Sequence, residues 1–591
     1  MAIYRKLAWF FKWRWQSYGI VVLLLVVCAI LTAIVPLIVG NFVDLLLAGT
    51  LTWQATLEHA SWVLGIGLVM YVFRYIWRSQ LFTNSTLLES TLRKRLYHHF
   101  LKMDAAFFDR YRTGDLLAHA TNDLNYIKFV AGGGIITLTD SIAISLVTLT
   151  SMVVFIDGQL TVLTNLPFLL LPFVVRVLTR RINGHYQKAM ASFSRMNDHV
   201  QESVAGMQVI KTFGEEEANY RAFEEQTADV VEQNRQAYRL DAAYTPAIRL
   251  VTALTYGLTL FLGTYFVQAG RISIGDLVAY FSYLGTMVYP LIAVGRLANT
   301  LERGNVSYDR VMALLDEEAM IENPHGAVTN FKAAPLKVEI ERFTYPESQE
   351  PTLVDVAFQL EAGQTLGLVG PTGSGKSTIF ELLVRSYDID AGTLTYGQDS
   401  INRLDLNVLH EQIGYVSQNG RLFSTTIRDN IRFGRPELSQ AEVERYAKLA
   451  AVHEDILALP QGYDTQVGER GVSLSGGQRQ RVTIARTLAM EPDLLLFDDA
   501  LSAVDAKTER QILANLQEER RGQMNIIAAH RMSTVQGADE ILVLRKGRVV
   551  ERGSHGELIQ ADGWYNKMYE QQQLERKLSG EEVEDAEETT F

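Results

Sequence analysis

The chain has 591 residues, 55 Lys and Arg against 67 Asp and Glu, and a net charge of −12. That length predicts about three or four domains, and the absence of a basic stripe with interleaved aromatics excludes a nucleic-acid binder. A single cysteine, Cys28 in an apolar run, excludes a disulfide framework, and hydrophobic (48%) and charged (21%) residues are so unevenly distributed that the N-terminal half reads as membrane-embedded.

Residues 1–16 carry Arg5, Lys6, Lys12 and Arg14 among Trp9, Phe10, Phe11, Trp13 and Trp15, the pattern of an interfacial helix. No small-residue cleavage site follows, and the next apolar run is too long for a signal peptide. That run, residues 18–47, is long enough to cross a hydrocarbon core of about 30 Å. Five more candidates follow at 60–77, 134–156, 160–178, 247–267 and 277–294, giving six predicted spans. The connections 48–58, 157–159 and 268–276 are short and have Arg271 as their only basic residue, whereas 78–132 and 179–244 are long and rich in Lys and Arg. The positive-inside rule puts the long segments and both termini in the cytoplasm. Helical periodicity runs from the spans into both long segments, which predicts cytoplasmic hairpins with turn-like tips at Arg112-Thr113-Gly114-Asp115 and Lys211-Thr212-Phe213-Gly214-Glu215.

Asp140 is an ionisable residue within the third span; it either binds substrate, lies near the cytoplasmic interface, or pairs with Arg249 of the fifth. Tyr256, Tyr265, Phe266, Tyr280, Phe281, Tyr283 and Tyr289 cluster in the last two spans, where packing and interfacial belts account for them more simply than a cation site does.

Residues 297–316 continue the sixth helix, 317–335 form a linker with Pro324, Gly326 and Pro335, and a soluble α/β pattern begins at 336. Its central feature is Gly370-Pro371-Thr372-Gly373-Ser374-Gly375-Lys376-Ser377-Thr378, a full match to G-x-x-x-x-G-K-[ST], between an apolar β-favouring run at 364–369 and a helical run at 379–386. At such a strand-to-helix turn the backbone N–H groups face phosphates, Lys376 reaches the β and γ phosphates, and Ser377 ligates Mg²⁺. Tyr345, next to Pro346, is a candidate to stack on adenine, and Gln418 ends a strand with an amide able to meet Mg²⁺ or water. Leu494-Leu495-Leu496-Phe497-Asp498-Asp499 reads as a buried parallel strand whose Asp498 holds the Mg²⁺ shell. Ile526-Ile527-Ala528-Ala529-His530 repeats that design, with His530 as a γ-phosphate contact. Ser475-Gly476-Gly477-Gln478 opens a helical run as a second phosphate-binding helix end. One chain with one phosphate loop and two phosphate-binding helix ends suggests a site completed by another subunit.

Together with Ser502-Ala503-Val504-Asp505, these residues make nearly the whole chain resemble an ABC exporter half-transporter: a membrane all-α domain of six transmembrane helices with long cytoplasmic extensions, followed by an α/β P-loop nucleotide-binding domain. The implied domains are 1–316 (membrane, with two coupling hairpins), 317–335 (linker), 336–575 (nucleotide-binding) and 576–591 (acidic tail). The resemblance implies ATP and Mg²⁺, Tyr345 stacked on adenine, Gln418 linking nucleotide to the hairpins, and His530 sensing the γ phosphate. It also implies that two chains dimerise head to tail, Ser475 and Gly477 closing on the partner's ATP. The segment 465–471 is similar to the family's contact for the partner's hairpin tip, and 113–123 and 206–215 look like its coupling helices.

One position departs from the family. After the Mg²⁺ carboxylate the family usually has Glu as general base, whereas this chain has Asp499. A side chain one methylene shorter withdraws its carboxylate by roughly 1 Å from the attacking water, a displacement able to cost about 10²-fold in rate. A weak site beside an intact signature resembles one subunit of the bacterial heterodimeric multidrug exporters in the cell membrane, moving amphipathic small molecules or lipids by alternating access. Two alternatives remain: a homodimeric lipid or peptide exporter with a competent Asp499, and a regulatory or channel-like membrane protein that binds ATP without pumping.

Overall fold

In hydrocarbon a backbone must satisfy its own N–H and C=O groups, so the long apolar runs of the N-terminal half have little choice but helix. A computed structural model describes residues 2–330, 335–418, 420–468 and 474–579. It contains five helical runs long and apolar enough to cross a membrane: Trp15–Leu47, Trp53–Phe100, Thr113–Ala205, Glu216–Gln268 and Ile274–Leu315. The third is 93 residues long and contains two of the six predicted spans. Between those two, Asp157 takes extended backbone (φ −160°, ψ 124°) and its side chain accepts from Leu160 N, capping the helix Gly158–Asn165. The chain divides into two contact units, residues 1–101 with 112–317, and 102–111 with 318–591.

Within the first unit, the N-terminal aromatic segment is two short helices, Ala2–Lys6 and Ala8–Trp13. Ile3, Leu7 and Phe10 are buried in protein while Trp13 and Trp15 face outward, so the segment packs on the bundle with one face rather than lying wholly in the interface. Lys6 fixes it by donating to Asn305 Oδ1 (2.8 Å) and ion-pairing with Asp309. Arg74 of the second helical run lies within electrostatic reach of Asp140. Five of the seven clustered aromatics pack: Tyr280, Tyr283 and Phe266 are buried, Tyr256 and Phe281 lie against the same core, and the Tyr280 and Tyr283 hydroxyls are bound by Thr164 and by the Ala33 carbonyl, whereas Tyr265 and Tyr289 are exposed. The lone basic residue of the short connections also has a structural task, since Arg271 donates to Asp157 Oδ2 and Gln159 Oε1, both at 2.7 Å.

Asp44 closes the same end of the bundle by accepting from Ser273 Oγ (2.6 Å) and Gly275 N (2.7 Å) at the start of Ile274–Leu315. The two helices approach at paired glycines, as small residues permit in membrane bundles. A Cβ on Gly275 would stand 2.1 Å from the Gly40 carbonyl oxygen.

The first long hairpin differs from its prediction. Its chain leaves helix at Leu101, forms the short helix Ala105–Arg110, and resumes at Thr113, so the turning element precedes the expected Arg112–Asp115 tip. Asp104 sets this position: Oδ1 caps Phe107 N, while Oδ2 accepts from Met320 N and Ile321 N. Ala106 is buried in the core of the second unit. In the other hairpin the breaks fall at Gly206 and at left-handed Gly214 (φ +72°), within the segment singled out in the sequence.

The second unit is built on two sheets. Strands β1 (Leu336–Phe343), β2 (Leu353–Leu360), β3 (Thr365–Val369), β4 (Ala391–Tyr396), β5 (Asp399–Ser400), β6 (Ile413–Val416), β7 (Leu494–Asp498), β8 (Met524–Ala528), β9 (Glu540–Arg545) and β10 (Arg548–Gly553) follow in chain order. An antiparallel sheet runs β2-β1-β4-β5 and a six-stranded one β10-β9-β3-β8-β7-β6, parallel except at β9–β10. Leu494 and Leu496 enter one core and Leu495 and Phe497 the other, which is why β7 is apolar at every position up to its terminal Asp498. The linker is docked here too: Val328 bridges to Leu404, and Asn323 accepts from Leu406 N. At the far end, helix Trp564–Ser579 extends past 576, where the sequence reading began the acidic tail; residues 580–591 lie outside the described residues.

Gly275→Ala is expected to force the two paired helices apart at a cost of about 1–3 kcal/mol, the usual range for overpacking. A lowered thermal midpoint of the variant in lipid nanodiscs checks this.

Candidate nucleotide site

The register of the parallel sheet brings the site together. Leu368 of β3 is level with Ala528 of β8, which is level with Asp498 of β7, so three strands deliver their carboxyl ends to one edge. That edge is where open α/β sheets bind ligands. Alternation then decides the face: Asp498 follows Leu494 and Leu496, the residues that pack with Ile379, Phe380, Leu382 and Leu383 of helix Lys376–Leu383. The carboxylate and the phosphate-loop helix therefore share one side of the sheet.

Glycine is required where the loop leaves β3 and where it enters the helix. At Gly370 (φ +154°) a Cβ would lie 2.2 Å from the Leu544 carbonyl oxygen, and Gly375 (φ +101°) is the left-handed N-cap of the helix. Between them Thr372 and Gly373 are exposed at the turn, and Ser374 is buried with its hydroxyl unpartnered. Lys376 Nζ folds back to donate to Gly370 O (2.8 Å) and Pro371 O (3.2 Å). Burial pulls its pKa down, opposed by the carboxylates of Asp499 and Asp498. An unpartnered buried hydroxyl, a largely desolvated ammonium and a helix N-terminus fit a polyphosphate.

Ser377 Oγ donates to Asp498 Oδ1 at 3.0 Å, and Tyr415 OH to Asp498 Oδ2 at 3.1 Å. Burial raises the Asp498 pKa, the two hydrogen bonds lower it, and Asp499 raises it further. Among the described residues no group of three or more His, Cys, Asp or Glu side chains is arranged to hold a metal. Mg²⁺ normally takes only one or two carboxylates, with phosphate and water filling the rest of its shell, and the Ser377–Asp498 oxygen pair fits that donor set. Asp499 is half-buried, with φ +48° and its N–H donating to Ala528 O at 2.9 Å. Its Oδ2 stands 3.5 Å from Gln418 Nε2. His530 follows β8 by two residues; its carbonyl accepts from Gln572 Nε2 at 2.8 Å.

Ser475, Gly476, Gly477 and Gln478 form the start of helix Gly476–Leu488 as a capping box: Gln478 N donates to Ser475 Oγ (3.2 Å) and Ser475 N to Gln478 Oε1 (3.0 Å). Asp455 fixes this end by accepting from Gln478 Nε2 and Arg481 Nη1. Gly477 is small because a Cβ would come 2.8 Å from Ala503 O. Asp505 caps the next helix through Lys507 N and Thr508 N. Of the segment 465–471, residues 469–471 lie outside the described residues, and Gln466 bridges to Thr426.

The hydroxyl of Tyr345 is held by Thr378 Oγ1 (2.9 Å) and Glu381 Oε2 (2.7 Å). Glu381, Tyr415 and Gln480 escaped the sequence reading. Glu381 had a signal, since it lies three residues after Thr378 on one helix face. Tyr415 had a weaker one, three residues before Gln418. Gln480, which accepts from Ala503 N at 3.1 Å and lies 3.4 Å from Gln418 O, had none.

The raised folded pKa of Asp498 means that its contribution favours the fold below the unfolded carboxylate pKa and is lost as pH rises through the folded value. Asp498→Asn is therefore expected to raise the thermal midpoint of the nucleotide-free chain at neutral pH, with the gain shrinking as pH falls through the carboxylate range. The same variant should lose the tightening of ATP binding by Mg²⁺. Thermal unfolding across pH, with and without Mg²⁺ and ATP, checks both signs.

Comparison with known proteins gives the same reading. Residues 18–291 match the ABC transporter transmembrane region and residues 353–502 the ABC transporter family. The chain is 39% identical over 578 residues to the multidrug resistance-like ATP-binding protein MdlA of Escherichia coli (strain K12), covering 98% of each chain. It is 37% identical over 573 residues to the probable multidrug resistance ABC transporter ATP-binding/permease protein YheI of Bacillus subtilis (strain 168), covering 97% of this chain and 98% of that one. Among solved structures it is similar to a bacterial Atm1-family ABC exporter with ATP bound, at a TM-score of 0.78 and 28% identity, covering 94% of this chain and 99% of the other. With its helical membrane domain, its phosphate loop level with the Asp498 strand, and these relatives, the chain belongs to the ABC transporter family and has the exporter fold, in which ATP hydrolysis is coupled to transport.

Proposed function

We propose that the protein is one half of a heterodimeric multidrug-type exporter whose own ATP site is degenerate, and that it moves amphipathic compounds out across the cytoplasmic membrane by alternating access. The observation that carries this reading is Asp499, a carboxylate one methylene shorter than the usual base, at the end of an otherwise complete site. Its backbone is pinned by the Ala528 carbonyl, so the strand end has little freedom to advance the carboxylate toward the attacking water. The multidrug names of the relatives and the apolar, aromatic spans support an amphipathic cargo. Basic residues concentrated in the two long hairpins support cytoplasmic termini.

Two chains meet head to tail in this reading, each phosphate loop opposite the partner's signature. Gly370, Thr372, Gly373, Ser374, Gly375, Lys376, Ser377 and Thr378 bind the phosphates, Ser377 and Asp498 hold Mg²⁺ with Gln418 beside them, and Tyr345 faces the adenine. The signature Ser475, Gly476, Gly477 and Gln478 is rigid and complete, so it serves the partner's site, where a Glu base hydrolyses ATP. His530 contacts the γ phosphate at this chain's own site. Closure of the nucleotide domains moves the hairpins and turns the cavity outward; hydrolysis on the partner's side resets it.

ATPase activity of this chain alone in lipid nanodiscs is expected to be nearly silent and to rise by about 10²-fold in Asp499→Glu, the scale set by a misplacement of roughly 1 Å. Brisk turnover by the native chain alone would return Asp499 to service and favour a homodimer. In the heterodimer, Ser475→Ala is expected to impair turnover strongly and Lys376→Ala to leave part of it. Steady-state ATPase assays of the two variants check that order.

A further inference from the structure

Tyr345 is held from more directions than a stacking surface needs for burial alone. Its hydroxyl donates to Glu381 Oε2 at 2.7 Å and is hydrogen-bonded to Thr378 Oγ1 at 2.9 Å, so it is tied to the first two turns of the phosphate-loop helix. Edge-on contacts brace its ring: Phe343 at 5.0 Å and 76°, and Tyr387 at 5.2 Å and 87°. Tyr387 is itself held through its hydroxyl by the Asp109 carboxylate of helix Ala105–Arg110. The ring nevertheless remains only half-buried.

Glu381 has no part in the phosphate or Mg²⁺ chemistry derived above. Burial raises its pKa, and the hydrogen bond from Tyr345 lowers it. A half-buried carboxylate is costly to keep, so its position beneath a tyrosine hydroxyl calls for a use. Thr378 belongs to the phosphate loop, and Glu381 stands one turn behind it on the same helix face. Anchoring Tyr345 to both therefore registers the ring against the phosphate cradle.

We infer that Glu381 is a positioning residue for nucleotide: with Thr378 it pins the Tyr345 hydroxyl, so that the ring stands as a fixed platform for the adenine at a set distance from the phosphates. This rests on the reading of the site as an ATP site. A pinned ring has already given up its rotamer freedom, so the adenine gains the stacking contact without the ordering cost. The hydroxyl is the handle and the ring the binding surface. Tyr345→Phe, which keeps the ring, should then lose at least what Glu381→Leu loses.

Equilibrium titration of ATP with Mg²⁺ into the full chain in nanodiscs tests this. Glu381→Leu and Tyr345→Phe are each expected to weaken ATP binding about three- to ten-fold. The double variant should be no weaker than Tyr345→Phe alone, because loss of the hydroxyl already cuts the bond to Glu381. Glu381→Gln, whose carbonyl oxygen still accepts from the hydroxyl, should stay close to the native affinity. Losses that multiply in the double variant, or a Glu381→Gln affinity as low as that of Glu381→Leu, overturn the proposal. If Glu381→Leu does not fold, Tyr345→Phe decides: an affinity equal to the native one overturns it as well. A native chain that binds no ATP would instead defeat the ATP-site reading itself, a result distinct from all of these.

Discussion

The hydrogen bond from Ser377 to Asp498 is the contact on which the nucleotide-binding unit depends. It joins the first turn of the phosphate-loop helix to the end of β7 across two neighbouring strand ends. Each link in the sheet must hold for it to form. The parallel register levels β3, β8 and β7, and the two-residue period of β7 turns Asp498 to the helix side. A one-residue slip of β7 would send Asp498 to the opposite face and Phe497 to the phosphate side. Two dry cores that alternate along one strand exclude such a slip, because it would have to exchange every buried side chain between them. Packing along the whole strand thus fixes the position of the Asp498 carboxylate.

Much of this arrangement was legible in the sequence. The phosphate loop is readable because its glycines answer local demands, such as Gly370 beneath the Leu544 carbonyl, and local demands leave patterns of fixed spacing. The apolar run before Asp498 is readable for the same reason. Partner choice was not legible. Asp140 is legible as an ionisable residue in a span, but that Arg74 comes within electrostatic reach of it is decided by which helices neighbour one another. The first hairpin tip shifted because Arg112 to Asp115 has turn composition while the Asp104 carboxylate has distant partners, the N–H groups of Met320 and Ile321. No window of a dozen residues contains that information.

The signature and the base differ in how much freedom the structure leaves them. Ser475 and Gln478 satisfy each other, Asp455 holds the helix end, and Gly477 fits closely under Ala503. That element is held rigid by its own residues. Asp499 has the opposite character: its positive φ and its bond to Ala528 fix the backbone, while the side chain makes a long contact of 3.5 Å to Gln418. Substitution at such a position changes the reach of the carboxylate without disturbing the fold.

In the segment 102–111 chain order and packing part company. By chain position it belongs to the helical half, yet it packs with the nucleotide unit. Its attachments are three of different kinds: Asp104 accepts from backbone N–H groups of the linker, Ala106 enters the core, and Asp109 binds the Tyr387 hydroxyl. Tyr387 touches Tyr345, and Tyr345 is tied to the phosphate-loop helix. A carboxylate on the membrane hairpin is therefore three contacts from the phosphate cradle, through side chains that are either hydrogen-bonded or edge-packed. Rings braced in this way resist small displacements, so a shift of the segment moves Tyr345 or breaks the Asp109 contact.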